Sequence, residues 1–157
     1  MNDLKAMLEA ELKELDFIQS DFYLKAFNGG TVNSSYRLET SNNRYFVKTF
    51  ESDEITILDR KKLFDVQREL AVKEFAVTPI YLSKSCSFQI DQWFDSPTLD
   101  QVDLSNRIIT KSLASALSKL HNTKIDAPEL DLPRQWQHYL SLIDVSLTIL
   151  EQQTLEN

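Results

Sequence analysis

The sequence predicts an α+β fold: about five antiparallel strands with a covering helix, followed by further helices. Three observations predict it. Short runs rich in aromatic and β-branched residues fill residues 22–50 and return over 77–94, with one helical stripe between them. From Leu104 onward the apolar spacing is helical. The chain's two glycines, Gly29 and Gly30, are adjacent and fall between the first two strand-like runs, where a hairpin turn needs backbone freedom.

With 157 residues, 42% of them apolar and 26% charged, the chain has the size and balance of one soluble domain able to bury a core. No run approaches the roughly 20 apolar residues that span a bilayer. The start, Met1-Asn2-Asp3-Leu4-Lys5, lacks the basic-then-apolar order of a secretory signal. Cys86 is the single cysteine and has no internal disulfide partner, which favours a cytoplasmic setting. A net charge of −7 argues against a large nucleic-acid footprint, while a local phosphate site stays compatible with it. Neither a nucleic acid nor a membrane is expected as a partner.

Residues 3–15 place Leu4, Leu8, Leu12 and Leu15 at helical spacing, as an amphipathic helix packed on its own domain. Three strands follow, Phe22 to Phe27, Tyr36 to Glu39 and Arg44 to Phe50, the last two joined by the polar turn Ser41-Asn42-Asn43. Between the first two lies Asn28-Gly29-Gly30-Thr31-Val32-Asn33-Ser34-Ser35. Exposed amides in such a loop, with a strand lysine nearby, can cradle a phosphate. A solvated hairpin turn reads equally well. On the third strand Phe46 and Lys48 share one face and Tyr45, Val47 and Thr49 the other. Lys48 either points into a cleft or lies along apolar surface with its amine in water.

After the polar connection Glu51-Ser52-Asp53-Glu54, a helical stripe runs through Leu58, Leu63, Val66 and Leu70 toward Phe75. Glu69 and Glu74 are both placed to pair with a strand lysine, and periodicity does not choose between them. A solvated helix charge is the simpler reading of either. Val77 to Leu82 and Ser87 to Phe94 read as two more strands, and Asp95-Ser96-Pro97-Thr98 stops the second. A helix over 104–120 is capped by Asp103 or Ser105 and ends at His121. Neither His121 nor His138 has the neighbours a metal site needs, so no metal ligand is assigned. Residues 125–133 form a linker, with Pro133 in the first turn of a last helix. There Trp136, Leu140, Ile143, Leu147 and Leu150 make an apolar seam that lacks a cover and favours truncation or a homodimer.

The runs Gly29 to Leu38, Arg44 to Phe50 and Arg68-Glu69-Leu70-Ala71 together resemble the N-terminal half of the aminoglycoside phosphotransferase and choline/ethanolamine kinase group. Ile90 to Phe94 and Leu113 to His121 add to the match, which covers roughly residues 20 to 122. The resemblance implies a protein-kinase-like N-terminal lobe over 1–95, and over 96–157 a hinge exit and the helical start of an incomplete C-terminal lobe. It implies ATP and Mg²⁺ as cofactors and a small-molecule alcohol as acceptor. The loop Gly29, Gly30, Thr31, Val32 and Asn33 would cover the nucleotide phosphates, Lys48 would contact them, and Glu69 would be the helix partner of Lys48. Gln92, Trp93 and Phe94 would form the hinge beside adenine.

In that group an H-x-D-x-x-x-x-N segment and a later aspartate orient the acceptor and hold magnesium. His121-Asn122-Thr123-Lys124-Ile125-Asp126 does not match it, so no catalytic residue is assigned. The expected function is the nucleotide-binding part of an ATP-dependent small-molecule phosphotransferase, choline-kinase-like or aminoglycoside-kinase-like, inactive as this chain alone. The alternatives are a noncatalytic nucleotide-binding or protein-interaction module and a purely structural domain.

Overall fold

The computed structural model describes residues 6, 9–18, 21–27, 33–50, 57–97, 99–129 and 131–142. The loop residues Gly29 to Val32, the connection Glu51 to Glu54, the early helix positions Leu4 and Leu8, and the seam residues Ile143, Leu147 and Leu150 lie outside them.

Five strands form one antiparallel sheet: β1 (Tyr23–Phe27), β2 (Ser35–Glu39), β3 (Arg44–Thr49), β4 (Pro79–Leu82) and β5 (Phe88–Gln92). Their order is β1-β2-β3-β5-β4, so β4 is an edge strand. That placement suits Pro79, which has no N–H to give a second neighbour. The strand expected over 77–82 begins only at Pro79, and the one expected over 87–94 ends at Gln92. Thr78 still contributes, since its carbonyl accepts from the Gln92 N–H at 2.9 Å.

Register decides which face is apolar. Leu24 lies opposite Leu38, Leu38 opposite Tyr45, and Val47 opposite Ile90, so these side chains share one face. That face buries Leu24, Leu38, Val47, Phe88 and Ile90 against Leu12 and Ile18 of the N-terminal segment. The described helical turn of residues 9–12 thus packs on the sheet through Leu12. Its helical path stops at Leu12 rather than Leu15, and residues 13–17 turn toward β1. Leu15 nonetheless packs at the core margin. Glu11 fastens this segment to the far edge of the sheet: its Oε1 accepts from the Tyr81 hydroxyl at 2.7 Å and from the Lys84 N–H at 3.2 Å. Burial, then the hydrogen bond and charge of Glu11 and the charge of Glu14, push the Tyr81 hydroxyl up to about 12.

Helix α1 (Arg60–Val72) links β3 to β4 and reaches the opposite, polar face of the sheet through Gln67. Asp59 caps its start by accepting from the Lys62 N–H at 3.0 Å. Its end is closed by Glu74 N–H to the Ala71 carbonyl and Phe75 N–H to the Leu70 carbonyl, at 3.0 and 2.9 Å. This closure requires a left-handed residue just past the helix, usually glycine. Here it is Glu74, at φ 62°.

Helices α2 (Arg107–His121) and α3 (Leu132–Leu142) follow a short 3-10 turn at Leu99–Gln101, and neither contains a buried residue. The cap of α2 is Asn106, which accepts from the Ile108 N–H at 3.0 Å, not Asp103 or Ser105. Asp103 is occupied one turn earlier. Its Oδ1 accepts from the Ser105 hydroxyl and N–H at 2.6 and 2.9 Å, which holds its carboxyl below the usual range. Pro133 stands in the first turn of α3 as expected.

Candidate functional site

On the polar face of the sheet β3 and β5 hold Lys48, Gln89 and Asp91. Lys48 is paired with Gln89 and Phe46 with Asp91, so period-two alternation turns all four side chains to the side away from Val47 and Ile90. Lys48 Nζ lies 3.0 Å from Asp91 Oδ2 and donates to Gln67 Oε1 at 3.3 Å. Gln67 Nε2 donates to Asp91 Oδ1 at 3.0 Å and to the Val77 carbonyl at 3.2 Å. Gln89 Nε2 closes the cluster, donating to Gln67 Oε1 at 2.9 Å and Asp91 Oδ1 at 2.5 Å.

One ion pair and two amides thus satisfy one another under α1. The Gln67 amide turns its oxygen to the cation and its nitrogen to the carboxylate, the orientation in which both ends are used. The Asp91 side chain is 3% exposed, whereas that of Lys48 is 29% exposed. An ammonium has three donors. Two of those on Lys48 are engaged in this cluster, and the side chain that carries them is partly exposed. Chemically, the arrangement is a fixed cation on the polar face of the sheet's middle strand, able to meet an anionic oxygen.

Of the loop residues tied to this cation, Asn33 is described: it is half-buried and precedes β2, whose first residue, Ser35, faces Lys48 across the ladder. The loop leading to β2 therefore ends beside the lysine. Gln92, Trp93 and Phe94 sit one strand away, at and beyond the end of β5. Gln92 closes β5 with its backbone N–H bonded to Thr78, so that donor is not available to a ligand. Trp93 is half-buried beneath the Arg37 guanidinium, 5.8 Å from the ring centre. Phe94 is exposed and, with Gln92, forms one wall of an open cleft of about 530 Å³. Ala71, Phe75 and Val77 form the other wall.

Glu69 is not brought to Lys48. Its Oε1 pairs with Lys73 Nζ at 2.6 Å, one turn along the same helix, and Lys73 also donates to the Lys124 carbonyl at 2.9 Å. Glu74 is at the left-handed helix end instead. The helix residue at the lysine is Gln67, and the acid is Asp91 from β5. Sequence reasoning missed both, together with Gln89. The available signal was the alternation Phe88-Gln89-Ile90-Asp91, in which two polar residues point one way from a strand that proves to be central.

Among the described residues no group of three or more His, Cys, Asp or Glu side chains is arranged to hold a metal ion. No helix among them is long and apolar enough to cross a membrane.

No protein-family model matches the chain, and no curated protein sequence matches it. Solved structures do. The chain is similar to the choline kinase LicA from Streptococcus pneumoniae with a TM-score of 0.67 and 18% identity, over 96% of this chain and 53% of that one. It is similar to an ethanolamine kinase from Plasmodium vivax with a TM-score of 0.54 and 19% identity, over 92% of this chain and 37% of that one. The chain thus spans about half the length of the first and less of the second. At these identities the likeness shows the fold: an antiparallel five-stranded sheet with helices, resembling the N-terminal lobe of protein-kinase-like kinases, in the form found in choline and ethanolamine kinases.

Proposed function

We propose that this chain is the nucleotide-binding part of an ATP-dependent small-molecule phosphotransferase, with Lys48 contacting the nucleotide phosphates. The observation that carries this reading is the Lys48 side chain: its ammonium is held by Asp91 and Gln67, the side chain is partly exposed, and its strand pairs with the one that follows the Gly29–Asn33 loop. Kinase-type sites use a strand lysine in this way because phosphoryl transfer is catalysed mainly by positioning and charge stabilisation. In this reading residues 1–95 form the nucleotide lobe and 96–157 begin a second lobe. The nucleotide brings magnesium, whose ligands belong to the rest of a complete kinase. Gln92 to Phe94 border the adenine. The acceptor is a small alcohol, with choline-like amino alcohols favoured by the two kinases of shared fold.

Ligand binding to the folded state raises the melting temperature by mass action. ATP with Mg²⁺ at millimolar concentration is expected to raise the melting midpoint of the wild-type chain by a few degrees. The same shift in a folded Lys48→Met variant, or none in the wild type, would contradict the reading.

The last helix supports one addition to it. Leu132, Trp136 and Leu140 are 62%, 64% and 50% exposed, a face suited to pairing with a second copy. Light scattering at high protein concentration should report a dimeric mass, and a monomeric one rejects the pairing.

A further inference from the structure

We propose that Asp91, assisted by Gln67, is the positioning residue that aims Lys48 at phosphate, in place of a helix glutamate. This rests on the nucleotide reading of Lys48 above and names the group on which that lysine depends.

Three observations carry it. First, Asp91 is 3.0 Å from Lys48 Nζ and its side chain is almost wholly buried, so its carboxylate has no water to turn toward. Second, Gln67 and Gln89 each donate to Oδ1, leaving Oδ2 directed at the ammonium. Third, both carboxylates on α1 are committed elsewhere, Glu69 to Lys73 and Asp65 to Arg68, and Glu74 lies past the helix end. What α1 presents to the lysine is a neutral amide.

The origin of the acid has a functional consequence. Where a lysine is held by a glutamate on a helix, shifting the helix breaks the pair and turns the site off. Here lysine and acid stand on β3 and β5, two strands bonded to each other along a five-residue register. The aim of Lys48 is therefore built into the sheet, and displacement of α1 removes the hydrogen bonds of Gln67, one of them to Lys48, rather than the charge.

Calorimetric titration of the full chain with ATP and Mg²⁺ tests this with four proteins: wild type, Asp91→Asn, Glu69→Gln and the double variant Gln67→Glu/Asp91→Asn. The double variant returns a carboxylate to the cluster from the helix side, at a position whose amide oxygen already lies 3.3 Å from Lys48 Nζ. Asp91→Asn should weaken ATP binding by about tenfold, the scale of one charge-assisted hydrogen bond. Glu69→Gln should stay within about twofold of wild type, and the double variant should recover most of the loss. A purely structural aspartate would not be rescued by moving the charge. Binding by Asp91→Asn equal to wild type, or a loss in Glu69→Gln matching that of Asp91→Asn, overturns the proposal. If Asp91→Asn alone does not fold, a folded double variant that still fails to bind overturns it as well. Absence of binding by the wild type is a different result: it removes the nucleotide reading itself, and this inference with it.

Discussion

Lys48 and Asp91 sit diagonally across the β3–β5 ladder, 3.0 Å apart, one side chain partly exposed and the other nearly sealed from solvent. The asymmetry determines what each substitution does. Removing the lysine strands a buried carboxylate with only amide donors, so Lys48→Met should destabilise the chain by about 2 kcal/mol. Removing both charges in Lys48→Met/Asp91→Asn should be less costly than Lys48→Met alone. Urea unfolding midpoints compare the two, and a double variant weaker than the single one would refute this account of the pair.

The core lies between the sheet and the N-terminal segment, not under the later helices. Leu12 is 0% exposed and Leu117 is 46% exposed. Leu12→Ala should therefore cost about 3 kcal/mol, and Leu117→Ala less than about 0.5 kcal/mol, in chemical denaturation. Similar losses at both positions would mean that α2 is covered in solution.

Tyr81 gives the structure a signature at alkaline pH. Its hydroxyl ionises in the folded chain only near 12, against an ordinary value of 10.0. A group whose folded value is raised contributes stability below its unfolded value and loses it as pH rises through the folded one. Tyr81→Phe should cost about 1 kcal/mol at neutral pH. The gap between wild type and variant should stay constant up to about pH 10 and close between pH 10 and 12. Denaturation at several pH values measures it, and a gap that widens with pH would contradict the assigned hydrogen bond to Glu11.

At the end of α1, Glu74 holds a left-handed conformation that glycine adopts without penalty. Glu74→Gly should stabilise the chain by about 1 kcal/mol, read as a rise in melting temperature. A fall would mean that the Glu74 side chain contributes more than its backbone strain costs.

The strands were legible because aromatic and β-branched residues alternate between polar turns, and Lys48 stood out as the single charge within Tyr45 to Thr49. Its partner was not legible. Asp91 meets Lys48 only through the β3–β5 register, a pairing between distant segments that local periodicity does not encode. Gln67 was not legible because a lysine's ordinary partner is a charge and the helix supplies a neutral amide. The cap of α2 shows the same limit at short range: Asp103, Ser105 and Asn106 are all capping types, and Asp103 is engaged with Ser105 one turn early. Leu15 continued the apolar spacing of the first helix although the chain had already turned, since the core accepts its side chain from either geometry.

Lys48 as a phosphate-contacting cation is tested by calorimetric titration with ATP, with and without Mg²⁺. The comparison is between wild type, Lys48→Met and Lys48→Met/Asp91→Asn, each first shown to be folded. Saturable binding by the wild type, lost in both variants, is the predicted result. Equal binding by a folded variant lacking Lys48 would contradict the claim.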